Sequence, residues 1–235
     1  MKTALQLRRR LQRPPTDSGR FRPLVRRRAD VQSPFIVVAA GVPRSGSTWL
    51  FNAVRLLCER SGVSTYADWA DSYQPEEHAA RDIHLVKLHK PEQSTFPYHC
   101  LVTTDRDLVE RIASLIRMGW VKKDVRAIRS AVEEQAGLHA YWLERTHLEI
   151  DHGEIINDPV AALSRLVDLL DLQRADGWLA EIARELAELP NADPVVNSFG
   201  HDATTLLHAG HCGSEQARAD LVAFVRDALS PAAGN

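Results

Sequence analysis

Phe35-Ile36-Val37-Val38-Ala39-Ala40-Gly41-Val42-Pro43-Arg44-Ser45-Gly46-Ser47-Thr48-Trp49-Leu50 is the stretch that decides the fold. Its first six residues are a continuous apolar run closed by glycine, the pattern of a strand buried on both faces of a parallel sheet. From Thr48 to Arg60 the apolar period changes, and Leu50, Phe51, Val54, Leu57 and Cys58 fall on one helical face. The order is strand, glycine-bounded turn, helix. Such a turn exposes backbone N–H groups and the positive end of a helix, so Gly41 to Thr48 is a candidate cradle for a phosphate. Its glycine spacing and final hydroxyl are those of a P-loop, but Ser47 stands where the phosphate-contacting lysine belongs.

The same alternation continues on the C-terminal side. Ile83 to Leu88, Cys100 to Thr104 and Thr146 to Asp151 read as further strands, with helices at Leu108 to Arg117 and Ala131 to Arg145 between them. Asp158-Pro159 reads as a cap followed by proline at the first helical position, opening a helix with Val160, Leu163, Val167 and Leu170 inward. Two more helices are expected at Gly177 to Leu189 and Ser214 to Leu229. No internal repeat or linker interrupts the series. The expected fold is α/β, a mostly parallel sheet flanked by helices on both faces.

Charge divides the chain in two. Residues 1 to 30 carry ten Lys/Arg against Asp17 and Asp30, which leaves 19 basic and 29 acidic residues beyond them. Residues 1–34 are therefore expected to form a basic, flexible arm, and residues 35–235 one domain. The arm has the Arg-rich, acid-poor look of an organelle transit peptide, and contact with nucleic acid or acidic lipid is open to it. Nucleic acid is nevertheless not expected as the partner. The longest apolar stretch, Phe35 to Val42, is far short of the roughly 20 residues that span a bilayer, so no membrane span is expected. Cys58, Cys100 and Cys212 show neither a disulfide framework nor a zinc spacing, which suits a reducing, cytoplasmic setting.

Pro43 to Leu50 resembles the 5'-phosphosulfate loop of the PAPS-dependent sulfotransferases (PAPS is 3'-phosphoadenosine 5'-phosphosulfate), whose form is Pro-Lys/Arg-Ser-Gly-Ser/Thr-Thr-Trp-Leu. The resemblance implies that Arg44, Ser45, Gly46, Ser47 and Thr48 hold the 5' end of the donor, with Arg44 neutralising the leaving phosphate, and that Trp49 stacks on the adenine. Three further segments follow in the family's order. Lys87-Leu88-His89 resembles Lys-Thr-His, which implies His89 as general base and Lys87 as the cation facing the sulfuryl oxygens, and imidazole has the pKa for the task. Glu92 is a second candidate base. Arg106 at a strand end and Ser114 eight residues later resemble the 3'-phosphate segment, where guanidinium and hydroxyl are both suitable donors.

His208-Ala209-Gly210-His211-Cys212-Gly213 resembles the Arg-Lys-Gly-x-x-Gly loop that closes over the 3'-phosphate, with both basic residues missing. His208, Gly210 and His211 are the candidates to replace them. Taken together, the resemblance implies an enzyme of P-loop-like sulfotransferase architecture. It would move a sulfuryl group from PAPS to a hydroxyl or amine of a small-molecule or carbohydrate acceptor, release 3',5'-ADP, and need no metal.

Each residue also has a plainer reading: Trp49 as a core residue, Arg106 as a partner of Glu110, and Lys87 to Lys90 as a basic strand end. The competing function is a P-loop kinase or NTPase with a degenerate loop, for which Asp105 is the candidate Mg²⁺ carboxylate. A noncatalytic nucleotide- or RNA-binding module using the arm is the third. The acceptor is not readable, but Ser61 to Arg81, with Trp69 and Tyr73, and Met118 to Arg129, with Trp120, are the candidate lining segments.

Overall fold

The computed structural model describes residues 33–173, 175–189, 202, 204–207 and 215–230. The chain begins with β1 (Phe35–Ala39) and α1 (Ser47–Arg60), then β2 (Thr65–Trp69) and β3 (Ile83–Lys87). It continues through β4 (Cys100–Asp105), α2 (Leu108–Arg117), α3 (Val125–Leu143), β5 (Leu148–Asp151), α4 (His152–Asn157), α5 (Pro159–Leu170), α6 (Trp178–Glu188) and α7 (Glu215–Leu229). The five strands form one parallel sheet in the order β2-β3-β1-β4-β5.

The central position of β1 follows from its sequence. A strand with no polar residue is stable only where both faces are covered. Phe35, Val37 and Ala39 pack with α1, α5 and α6 on one side. Val38 and Ala40 pack with Leu88, Leu101 and Trp142 of α3 on the other. Leu88, which replaces the threonine of the family pattern, is wholly buried in that second cluster. An apolar residue therefore suits its position, and the residues on either side of it are turned differently.

One missed strand, one expected boundary and one side-chain direction are corrected. β2 is an unpredicted strand on the edge of the sheet, and every residue of Thr65–Trp69 is only half buried, so it shows neither an apolar run nor clean alternation. α3 begins at Val125 and not at Ala131, because Asp124 caps it by accepting from the N–H of Ala127 at 2.9 Å. Val160 is 39% exposed, since the face that α5 buries is centred on Ala162, Leu163, Leu166, Val167 and Leu170, and Val160 lies at the flank of it. The Asp158-Pro159 start of α5 is as expected, with Asp158 accepting from the N–H of Ala161 at 3.0 Å.

The sheet order sets the place for a site. β1 leads through α1 to the edge, the chain returns as β3 on one side of β1, and β4 then adds on the other. Ligands of open α/β sheets bind beyond the carboxyl ends of the strands at such a reversal. The basic arm up to residue 32 lies outside the described residues. No helix among the described residues is long and apolar enough to cross a membrane.

Candidate active site

The loop after β1 is held open by its backbone. Gly41 (φ 151°), Arg44 (φ 70°) and Gly46 (φ 110°) all have positive φ. At Gly41 a Cβ would meet Ser45 Oγ at 3.1 Å and Thr104 Oγ1 at 3.2 Å, and at Gly46 it would meet Ile155 at 3.1 Å, so a side chain at either would crowd its neighbours as well as strain the backbone. The Ser45 hydroxyl exchanges a buried 2.8 Å hydrogen bond with Thr104 at the end of β4, and the Ser45 N–H donates to Val42 O. Ser45 therefore fastens the loop to the sheet. The helix that follows has no capping side chain and no acid in its first turn, which leaves the positive end of α1 toward the loop.

Beyond the loop opens a cleft of about 520 Å³. Arg44, Gly46, Ser47, Thr48 and Trp49 line it from the loop, Lys87 and His89 from the end of β3, and Arg106 from the end of β4. These come from three separated segments and meet because the register sets Ala39 beside both Lys87 and Val102. Trp49 faces the cleft and also packs against the core, as its plainer reading had it. Ser114 lies one layer back, and its hydroxyl accepts from Arg44 Nε at 2.9 Å. His208, Gly210 and His211 lie outside the described residues.

Lys87 is 2% exposed, and its ammonium donates to Thr48 Oγ1 at 2.6 Å and sits 4.9 Å over the ring of Trp69. Burial, and next the Arg44 charge, push it down to about 7. Arg44 is pushed down to about 10, first by burial and then by Arg117 and Arg106. The cleft is thus crowded with positive charge, an arrangement that favours a multiply charged anion.

His89 is oriented by two contacts. Its Nδ1 lies 2.7 Å from Gly41 O. A carbonyl can only accept, so Nδ1 carries the proton and, in the neutral ring, Nε2 carries the lone pair. Trp69 meets the imidazole edge-on at 5.1 Å. Glu92 is exposed and does not line the cleft.

Of the other expected lining residues, Trp69 and Trp120 face the cleft, whereas Tyr73 turns away to hydrogen-bond His84 Nδ1 at 2.8 Å. Arg106 pairs with Glu110 at 2.9 Å, as its plainer reading had it, and lines the cleft as well. His152 was not expected. It lines the cleft beside Gly46 and is pushed down to about 4 by burial and next by Arg106. Nothing local marks it, because it is delivered by the pairing of Asp105 with Asp151 across β4 and β5. Asp105 faces away from the cleft toward His139 at 3.5 Å and Arg111 at 3.6 Å.

The sheet order and the loop after its central strand define a known fold. A crystal structure of a mouse sulfotransferase, SULT7A1, complexed with PAP is similar to this chain with a TM-score of 0.50 and 13% identity, over 86% of this chain and 85% of that one. Retinol dehydratase in complex with androsterone and inactive cofactor PAP gives 0.47 at 16% identity, over 91% and 87%. The same enzyme with retinol and PAP gives 0.48 at 13%, over 91% and 88%. No protein-family model matches the chain, and no curated protein matches its sequence. The chain has the sulfotransferase fold.

Proposed function

We propose that this protein is a PAPS-dependent sulfotransferase acting on a hydroxyl or amine of a small-molecule or carbohydrate acceptor. The observation that carries the reading is the meeting of Arg44, Lys87, His89 and Arg106 with the open end of α1 in one cleft at the carboxyl edge of the sheet. In the reaction the acceptor oxygen or nitrogen forms a bond to sulfur, and the bond from sulfur to the bridging 5'-phosphate oxygen breaks. His89 Nε2 takes the acceptor's proton, and the electron pair departs with 3',5'-ADP. Lys87, Arg44 and the loop N–H groups stabilise charge on the sulfuryl and phosphate oxygens. Trp49 takes the adenine, and Arg106 takes the 3'-phosphate together with Ser114, whose hydroxyl accepts from Arg44 in the ligand-free site. His208, Gly210 and His211 remain the proposed closure over that group. The two described cysteines are free and buried, which supports placing the enzyme in a reducing cytoplasm.

The kinase reading is not favoured, because Ser47 supplies no ammonium and Asp105 is engaged away from the cleft. Thermal shift with 3',5'-ADP and with Mg-ATP tests the choice: a specific ligand raises Tm by mass action, and 3',5'-ADP should be the one that does so. A shift with Mg-ATP alone would overturn the proposal.

Two predictions belong to this reading. Arg106→Ala should weaken 3',5'-ADP by about 10- to 100-fold and 5'-AMP much less, as expected for charged hydrogen bonds to a group only the first carries. Equal losses in titration calorimetry would remove Arg106 from that role. Transfer should also proceed at undiminished rate with divalent metals chelated, because Lys87 and Arg44 supply the positive potential that Mg²⁺ supplies in a kinase. Loss of turnover in EDTA that Mg²⁺ restores would count against it.

A further inference from the structure

The Lys87 ammonium is taken out of water without a counter-ion. Among the described residues its hydrogen bond is to Thr48 Oγ1 at 2.6 Å, the charge set against it is the like charge of Arg44, and no carboxylate pairs with it. Nor does any aspartate or glutamate line the cleft. An ammonium so placed gives up its proton readily unless something else favours the charged form. What faces it is an aromatic ring, since the ammonium lies 4.9 Å from the centroid of the Trp69 indole, over the ring. The face of an indole is its negative side, and its attraction for a cation is strongest where water is excluded.

The backbone aims that ring. β2 and β3 run parallel with Trp69 opposite Lys87, and the next N–H, that of Ala70, donates to Lys87 O at 2.9 Å. Asp68 Oδ1 accepts from the Trp69 N–H at 2.7 Å, and Trp69 O accepts from the Ser72 N–H at 3.1 Å, so the residue is tied on both sides. The same indole meets the His89 ring at 5.1 Å and 75°, while Leu88 between the two polar residues goes to the core. Each element around Lys87 presents one group. The loop after β1 presents Arg44, and the turn after β3 presents His89, held through Nδ1 by Gly41 O. β1 carries no charged residue, α1 presents Thr48 with Arg55 further along paired to Glu59, and Asp68 of β2 is turned to the Tyr66 hydroxyl at 3.0 Å.

We propose that Trp69 is a positioning residue that keeps Lys87 in its charged form and aims it across the cleft, through the face of its indole. The contact stands on geometry, whereas its use in sulfuryl transfer rests on the donor-site reading above. A half-buried residue at the end of an edge strand thereby sets how far into the alkaline range the cleft keeps its positive charge.

The test follows the Lys87 side chain by NMR of the full chain with isotopically labelled lysine. The resonances to be told apart are those of Lys2, Lys87, Lys90, Lys122 and Lys123, and Lys87→Met assigns the one in question. The titration of Lys87, about 7 in the wild type, should move down by about 0.5 to 1 pH unit in Trp69→Leu, and by less in Trp69→Phe, which keeps a weaker face. Replacing tryptophan throughout by fluorinated analogues weakens the face at nearly constant shape. It should lower the titration in the wild type and leave it in place in Trp69→Phe, a comparison that holds even where Trp69→Leu does not fold. In titration calorimetry Trp69→Leu should weaken 3',5'-ADP by about 3- to 10-fold at pH 8, where Lys87 must be charged as the nucleotide binds, and by no more than about twofold at pH 6. A Lys87 titration that stays in place or rises in the variants and analogues, or a loss of affinity equal at both pH values, would make Trp69 a mere wall and overturn the proposal. A shifted titration in a protein whose wild type does not bind 3',5'-ADP would instead overturn the donor-site reading and leave the contact standing.

Discussion

Turnover should fall by about 10²- to 10⁴-fold when His89 is replaced by Asn, with affinity for 3',5'-ADP within about a factor of two of the wild type. The substitution is chosen for what it keeps. An asparagine amide can still donate to Gly41 O, as His89 Nδ1 does at 2.7 Å, so the loop and the turn after β3 should retain their shape. It has no basic nitrogen where Nε2 stands, so the acceptor's proton has no local base. Gly41 O fixes the tautomer that puts the lone pair on Nε2, and the indole of Trp142 donates to His89 O at 3.3 Å, holding the backbone. The measurement is a single-turnover rate under conditions where chemistry is limiting. Near-normal turnover would assign the base elsewhere, and Glu92→Gln would then be examined, although Glu92 lies off the cleft.

Lys87→Met should lower turnover by about 10²- to 10³-fold, the usual loss when one prearranged charge-stabilising donor is removed. It should also change two proton-linked properties. The Lys87 ammonium, at about 7 against an ordinary lysine value of 10.5, binds fewer protons in the folded protein than in the unfolded chain between those two pH values. Stability of the ligand-free protein should therefore rise with pH across that window, with the full cost of burying the ammonium present below about pH 7. Anionic nucleotide beside Lys87 favours the charged form again, so binding of 3',5'-ADP at pH 8 should take up a proton. Calorimetry in buffers of different ionisation enthalpy reads that uptake directly, and Lys87→Met should abolish it. Binding without proton uptake in the wild type would mean that Lys87 is already charged or is out of reach of the nucleotide.

What was legible in the sequence was local. The apolar run of β1, the glycines that need positive φ, and the helical face of α1 each require a conformation that neighbours in the chain already specify. β2 was missed for the opposite reason: an edge strand half buried along its whole length owes its existence to the hydrogen bonds of β3, and nothing in Thr65–Trp69 announces them. The inward assignment of Val160 failed because a helical period identifies a face but not its exact centre, and the wholly buried Ala162 turns that centre away from Val160.

The candidate site divides in the same way. Sequence by itself determined the fold class and the loop and supplied the candidate groups for holding an anion and moving a proton, because a motif joins residue type and spacing within one segment. Tertiary structure decided which groups act on one another. Trp69 lies beneath Lys87 through the pairing of β2 with β3, and His152 reaches Gly46 through the pairing of β4 with β5. Arg218 reaches Glu110 through the packing of α7 on α2. The protonation of Lys87, the tautomer of His89 and the sharing of Glu110 depend on distance and burial across segments far apart in the chain, and these exist only once the sheet has closed around β1.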